Sequence, residues 1–89
     1  MERNDRLELF KEIATEVVEK DFSAIQEATA ISELGIDSLG MLEIIGEMER
    51  RLKIRLPDEA LAGVETVQNL LDVVEKRQQM QAAAQAGVN

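Results

Sequence analysis

The chain has 89 residues, enough for one small domain, and its 18 acidic and 10 basic side chains give a net charge of −8. That charge disfavours nucleic acid and anionic membranes as partners and favours basic protein surfaces. The absence of cysteine and histidine excludes disulfides, thiolate chemistry and the commonest general base, so an enzyme sufficient in itself is not expected.

The first predicted element is an amphipathic helix over residues 5–20, capped by Asn4 or Asp5. Its apolar side chains recur at steps of three and four residues, and its acidic side chains fall on the opposite side. The predicted inward positions are Leu7, Phe10, Ile13, Ala14, Val17 and Val18. No apolar run approaches the ~20 residues that a membrane span needs, and the start does not resemble a signal peptide, so a cytoplasmic protein is expected.

A long connection, residues 21–37, follows without a sustained hydrophobic period. Phe22 and Ile25 are expected to anchor it in the core, and residues 28–34 are expected to form a short turn before Gly35. Connections of this length inside a compact domain are unusual and often functional.

The second helix is predicted to begin at Asp37 or Ser38 and to end near Lys53. Leu39 is expected to project away from the core, and Gly40 is expected to leave the first turn uncovered. The predicted apolar stripe comprises Met41, Leu42, Ile44, Ile45, Met48 and Leu52, and the opposite side comprises Gly40, Glu43, Glu47, Arg50 and Arg51.

Residues 53–89 are predicted to form one short and one long helix. Residues 53–56 alternate but are too few for a sheet, and residues 57–63 place a proline at the start and a glycine past the end of one or two helical turns. Thr66 is the expected cap of the last helix, whose inner face holds Val67, Leu70, Leu71, Val73 and Val74. The fold class is therefore all-α, with a domain over residues 1–77 and a tail, 78–89, that is expected to fray.

Ser38 is the candidate functional residue. Asp and Ser at a helix start are ordinarily caps, but the long connection, Gly35 and the exposed Leu39 favour a functional position. The first amides of a helix lack intrahelical acceptors and the dipole there is positive, so a phosphodiester on the Ser38 hydroxyl would be stabilised. Asp37 would repel that anion and is therefore expected to cap the helix or to bind a partner or metal ion.

Catalysis by Ser38 itself is not expected, because a serine nucleophile needs a base. The lysines, at positions 11, 20, 53 and 76, do not lie in patterns that place one beside Ser38. Glu43 and Glu47 are four residues apart on a solvated helix face, which is not an acid/base pair in a pocket. The sequence predicts no catalytic residue and no metal site.

The stretch Leu34-Gly35-Ile36-Asp37-Ser38-Leu39 resembles the attachment motif of the acyl carrier protein family, whose centre is Asp-Ser-Leu. Glu43 follows at the family's offset, and residues 54–58 and 66–70 resemble the segments at the starts of the third and fourth helices. The resemblance covers residues 7–75 and implies a small four-helix bundle of three main helices and one short helix.

The resemblance implies that Ser38, flanked by Asp37 and Leu39, carries 4′-phosphopantetheine, transferred from coenzyme A by a Mg²⁺-dependent phosphopantetheinyl transferase. The thiol of that arm would hold an acyl group as a thioester. Acyl-loading and acyl-processing enzymes (an acyltransferase or acyl ligase, and a ketosynthase) would dock on the second helix of the monomer. The implied docking residues are Leu39, Glu43, Glu47 and Arg50.

Some positions depart from the fatty-acid carriers of the family. Gly40 and Gly46 stand where an acidic and a large apolar residue are frequent, and Arg50 stands where an acid is common, which favours a specialised set of partners.

Three functions stay open at the level of sequence. The first is a carrier for fatty-acid or polyketide synthesis, which Met1 and the tail suggest is free-standing. The second is a carrier for nonribosomal peptide synthesis, and the third is a helical interaction module in which Ser38 is only a cap.

Overall fold

A computed structural model of the chain describes residues 3–22 and 24–86, and this part contains four α-helices and one 3-10 helix. The helices are α1 (Arg3–Val18), α2 (Ser38–Leu52), α3 (Asp58–Leu61) and α4 (Val67–Ala86), and the 3-10 helix is Ile31–Leu34. The predicted three long helices and one short helix are confirmed. Within the described residues no helix is both long and apolar enough to cross a membrane.

The helix α1 confirms the first predicted element, with different ends. It begins at Arg3, so Asn4 and Asp5 lie inside it and the predicted cap at either residue is wrong. It ends at Val18 because Glu19 adopts left-handed backbone (φ 59°) while its amide still donates to the Thr15 carbonyl at 2.9 Å. This turn is the geometry that commonly terminates a helix.

The core lies between α1, α2 and α4. Phe10 and Ile13 of α1, Ile44 and Met48 of α2, and Val74 of α4 are fully buried. Burial of each such side chain stabilises the fold by roughly 1.5–3 kcal/mol. Phe22 and Ile25 of the long connection are also buried, which confirms them as core anchors.

The long connection is held to the start of α4 by its backbone. The amide of Ile31 donates to the Glu65 carbonyl at 2.9 Å, and the amides of Val67 and Gln68 donate to the carbonyls of Thr29 and Glu27 at 2.9 and 2.8 Å. The bonds from Val67 and Gln68 satisfy the first amides of α4, which have no acceptors within their own helix. The connection that leads to α2 is therefore ordered by long-range contacts that no local pattern predicts.

The predicted cap of α4 is confirmed. The Thr66 hydroxyl accepts from the Asn69 amide at 3.1 Å, and the Asn69 side-chain oxygen accepts in return from the Thr66 amide at 3.1 Å. This reciprocal pair is a capping box with asparagine in the position that glutamate or glutamine usually takes.

The helix α4 continues beyond the predicted domain end to Ala86, and residues 87–89 lie outside the described residues. Gln78 accepts a hydrogen bond from the Nε of the buried Arg6 at 2.8 Å, which ties α4 to α1. Residues 78–86 are thus helical, and their fraying stays a prediction about motion.

We expect Thr66→Ala to lower the free energy of unfolding by about 1 kcal/mol, because the Asn69 amide loses its capping acceptor. Urea denaturation followed by circular dichroism measures this loss. Thr15→Ala, at an exposed position of α1, is the matched control and should change stability by less than about 0.5 kcal/mol. Equal losses in the two variants would contradict the capping role of Thr66.

Candidate functional site

The start of α2 is fixed by Asp37. Its backbone is extended (φ −78°, ψ 177°), its carboxylate accepts from the Gly40 amide at 2.7 Å, and its carbonyl accepts from the Met41 amide at 2.9 Å. These are the marks of an N-cap, so Ser38 is the first residue of the helix. The capping role expected for Asp37 is confirmed, and the alternative in which Ser38 is the cap is wrong.

The backbone that leads into Asp37 turns at Gly35. Gly35 ends the 3-10 helix with φ 70° and ψ 25°, a left-handed conformation that costs glycine little because it has no Cβ. The Lys20 ammonium lies 3.8 Å from the point that a Cβ on Gly35 would occupy. Sequence spacing does not indicate this neighbour of the site, because the contact depends on the left-handed turn at Glu19 that ends α1.

Gly40 is covered rather than open, so the prediction of an uncovered first turn is wrong. A Cβ built on Gly40 would lie 2.8 Å from Cγ2 of Ile36 and 3.2 Å from the Asp37 oxygen that accepts from its amide. The segment before α2 therefore packs directly against the first turn of the helix. Gly40 permits the close approach that the Asp37 cap requires.

Ser38 and its two neighbours, Asp37 and Leu39, are exposed at this helix start. The amides of Ser38 and Leu39 occupy helix positions without intrahelical acceptors, where the helix dipole is positive. An anion esterified to the Ser38 hydroxyl would lie in this field, so the residues present fit a phosphodiester. Within the described residues, no group of three or more acidic side chains is arranged to hold a metal ion.

Leu39 and Leu42 form an apolar patch next to Ser38, with exposures of 65% and 60%. The exposure of Leu39 was predicted, but the placement of Leu42 in the buried stripe was wrong. Leu42 is two residues from the fully buried Ile44, so at about 100° per residue the two side chains point to nearly opposite sides of α2. The rest of the stripe is confirmed: Ile44 and Met48 are buried, and Met41, Ile45 and Leu52 are partly buried.

Glu43 and Glu47, two acidic residues of α2, differ in how far they are exposed to solvent. Glu43 is exposed on the first turns beside Leu39. Glu47 lies further along, with a side chain only 25% exposed, and accepts from Arg51 Nε at 3.1 Å.

Arg51 also pairs with Glu12 and Glu16 of α1, and so links the two helices. Hydrogen bonds to Glu47 and then to Glu16 raise the pKa of Arg51 above its ordinary value. Arg50 pairs with Glu47 at 3.1 Å but keeps 77% of its side chain exposed.

Comparison with known families gives a match to the family described as "Phosphopantetheine attachment site" over residues 8–74. Over most of its length the chain is similar to the crystal structure of an acyl carrier protein from Thermotoga maritima. Its TM-score is 0.82 and its sequence identity 31%, over 90% of this chain and 94% of that one.

Similar sequences include two carriers and one synthase. The meromycolate extension acyl carrier protein of Mycolicibacterium aurum is 34% identical, over 70% of this chain and 64% of that protein. The acyl carrier protein homolog of Mycoplasmopsis pulmonis is 29% identical, over 73% of this chain and 89% of its own length. The 3-methylorcinaldehyde synthase of Sarocladium schorii is 32% identical over 82% of this chain, which spans only 3% of that synthase.

Replacement of Gly40 by alanine and replacement of Gly46 by alanine should change the stability of the fold in opposite directions. Gly40→Ala should lower the free energy of unfolding by about 1–3 kcal/mol, because the new methyl group collides with Ile36 and displaces the cap. Gly46→Ala should raise it by up to about 1 kcal/mol, since a Cβ there meets no atom within 4 Å and glycine is a poor helix former.

Urea denaturation of the two variants beside the unchanged chain measures the difference, and each variant is the other's control. A stable Gly40→Ala variant would contradict the close approach of Ile36 to the first turn of α2.

Proposed function

Because this chain belongs to the acyl carrier protein family, we propose that it carries acyl intermediates as thioesters on a 4′-phosphopantetheine arm attached to Ser38. The covalent group of this family is 4′-phosphopantetheine. The assignment to Ser38 is supported by its position as the exposed first residue of α2, inside the matched region. The arm supplies the thiol that a chain without cysteine lacks.

The observation that carries this proposal is that Asp37 caps the helix and Ser38 does not. The Asp37 carboxylate satisfies the Gly40 amide at 2.7 Å, so the Ser38 hydroxyl is not needed for capping. A serine at this position costs the helix little and presents its oxygen to solvent at the positive end of the dipole. The hydroxyl oxygen that would carry the arm is therefore on Ser38, and the carboxylate that caps the helix is on Asp37.

Attachment forms an ester bond between the Ser38 oxygen and the phosphorus of the pantetheine phosphate, and it breaks the pyrophosphate bond of coenzyme A and releases adenosine 3′,5′-bisphosphate. The proton of the serine hydroxyl must leave in the same step. The chain has no histidine to accept that proton, so the base belongs to a separate phosphopantetheinyl transferase. The role of this chain is to hold Ser38 at a fixed, exposed place while the transferase supplies the Mg²⁺-dependent chemistry. The carrier itself is not an enzyme.

We assign the acyl cargo to fatty-acid or polyketide synthesis, and the loading and processing enzymes to an acyltransferase or acyl ligase and a ketosynthase. Two carriers similar to this chain are named acyl carrier proteins, which favours an acyl over a peptidyl cargo. We further propose that the carrier acts as a monomer in the cytoplasm, in keeping with a cysteine-free chain that needs no oxidising compartment.

Incubation with coenzyme A, Mg²⁺ and an excess of a broad-specificity transferase should add one phosphopantetheinyl group per chain, detected as intact mass. Ser38→Ala should abolish the addition without unfolding the helix, because the Asp37 cap stays in place. Ser32→Ala, which changes another exposed serine in the 3-10 helix, is the matched control and should be modified as fully as the unchanged chain. An unmodified natural chain, or a modified Ser38→Ala variant, would refute the proposal.

A further inference from the structure

A groove lies between the end of α1 and the start of α2, and we call it the α1/α2 groove. Its volume is about 260 Å³. Asp37 and Leu39, the residues on either side of Ser38, both line it. A group attached to the Ser38 oxygen is therefore tethered at the edge of this groove.

Part of the lining of the α1/α2 groove is aliphatic. Val17 and Val18 of α1 and Ile36 of the connection contribute branched side chains that are only partly buried. Gly40 brings the backbone of α2 against them, because a Cβ there would lie 2.8 Å from Cγ2 of Ile36 and 3.9 Å from Cγ2 of Val18. A concave site with exposed methyl groups favours an uncharged, branched aliphatic ligand.

Three charged residues restrict what the α1/α2 groove can take. Asp37 and Glu43 line it, and their carboxylates repel an anion inside the groove. Gly35 also lines it, and the Lys20 ammonium lies 3.8 Å from the point that a Cβ on Gly35 would occupy. An anion is therefore favoured next to Lys20, and an uncharged group is favoured within the groove.

The 4′-phosphopantetheine arm presents these two kinds of group one after the other. Its phosphodiester is anionic, and the pantoyl segment that follows is uncharged and has a carbon with two methyl groups. The volume of the groove is below the roughly 300–1,000 Å³ of pockets for drug-sized ligands, so the groove suits one segment of the arm. Because the arm is tethered, its effective concentration at the groove is on the order of millimolar, and weak contacts suffice to hold it.

We propose that the pantoyl segment of the arm binds in the α1/α2 groove, with its two methyl groups against Val17, Val18 and Ile36. The phosphodiester lies beside Lys20, which is a positioning residue that directs the arm from Ser38 toward α1. The distal part of the arm, with its thiol, stays outside the groove, where partner enzymes reach the thioester. This inference rests on the proposed carrier function and adds a second contact between the chain and its arm.

The direct test is NMR on the phosphopantetheinylated chain. An isotope-labelled chain is modified with unlabelled coenzyme A, and intact mass verifies the attachment. Isotope-filtered NOE spectra should show contacts from the two pantoyl methyl groups to the methyl groups of Val17, Val18 and Ile36. The absence of these NOEs, or NOEs to Leu61 of α3 in their place, would overturn the inference.

Lys20→Glu tests the charged contact at an exposed position, so the fold should be kept. The variant should weaken these NOEs about twofold or more, because the new carboxylate repels the phosphodiester. Lys20→Arg keeps the charge and should retain the NOEs. Lys76→Glu makes the same change in net charge on an exposed residue of α4 and should leave the NOEs unchanged. Equal effects of Lys20→Glu and Lys76→Glu would overturn the positioning role of Lys20.

Intact mass distinguishes failure of this inference from failure of the carrier function. A chain that accepts the arm but shows no contact between the arm and the α1/α2 groove refutes only the groove as a binding site. A chain that never accepts the arm refutes the carrier function itself.

Discussion

The hydrogen bond from the Gly40 amide to the Asp37 carboxylate determines where α2 begins, and the site depends on that position. It makes Ser38 the first residue of the helix, frees the serine hydroxyl from capping and leaves Leu39 exposed beside it. The bond is compatible with the packing of Ile36 only because position 40 has no Cβ. A single cap and a single glycine thus fix the position of the serine that we propose as the attachment point.

The cap is in turn positioned by contacts far along the chain. The connection before α2 donates to and accepts from the backbone around the start of α4, where Thr66 and Asn69 cap each other. On the other side, Arg51 of α2 links to two glutamates of α1. The place of Ser38 is therefore a property of the whole bundle. A carrier that must meet several enzymes benefits from such a fixed start, because each enzyme then encounters the same geometry.

Local patterns predicted much of this arrangement. The helical period predicted the three long helices and the buried Ile44 and Met48, and a proline and a glycine predicted the short helix. Thr66 was identifiable as a cap, and the motif around Ser38 indicated the candidate site. The errors concern features set by tertiary packing: Gly40 is covered by a preceding loop residue, and Leu42 falls on the outer side of α2. The approach of Lys20 to Gly35 and the pairing of Arg51 with Glu12 and Glu16 also depend on how α1 packs against α2, which no single-helix pattern contains.

The central claim, that Ser38 bears the arm, is tested most directly on the protein isolated from the cell that makes it. Intact mass followed by fragmentation of the peptide that contains Ser38 reports both the presence and the position of the group. The account predicts a phosphopantetheinyl group on the Ser38 oxygen, with an acyl thioester on some of the molecules. A bare Ser38 in every molecule, from a cell with an active phosphopantetheinyl transferase, would contradict it.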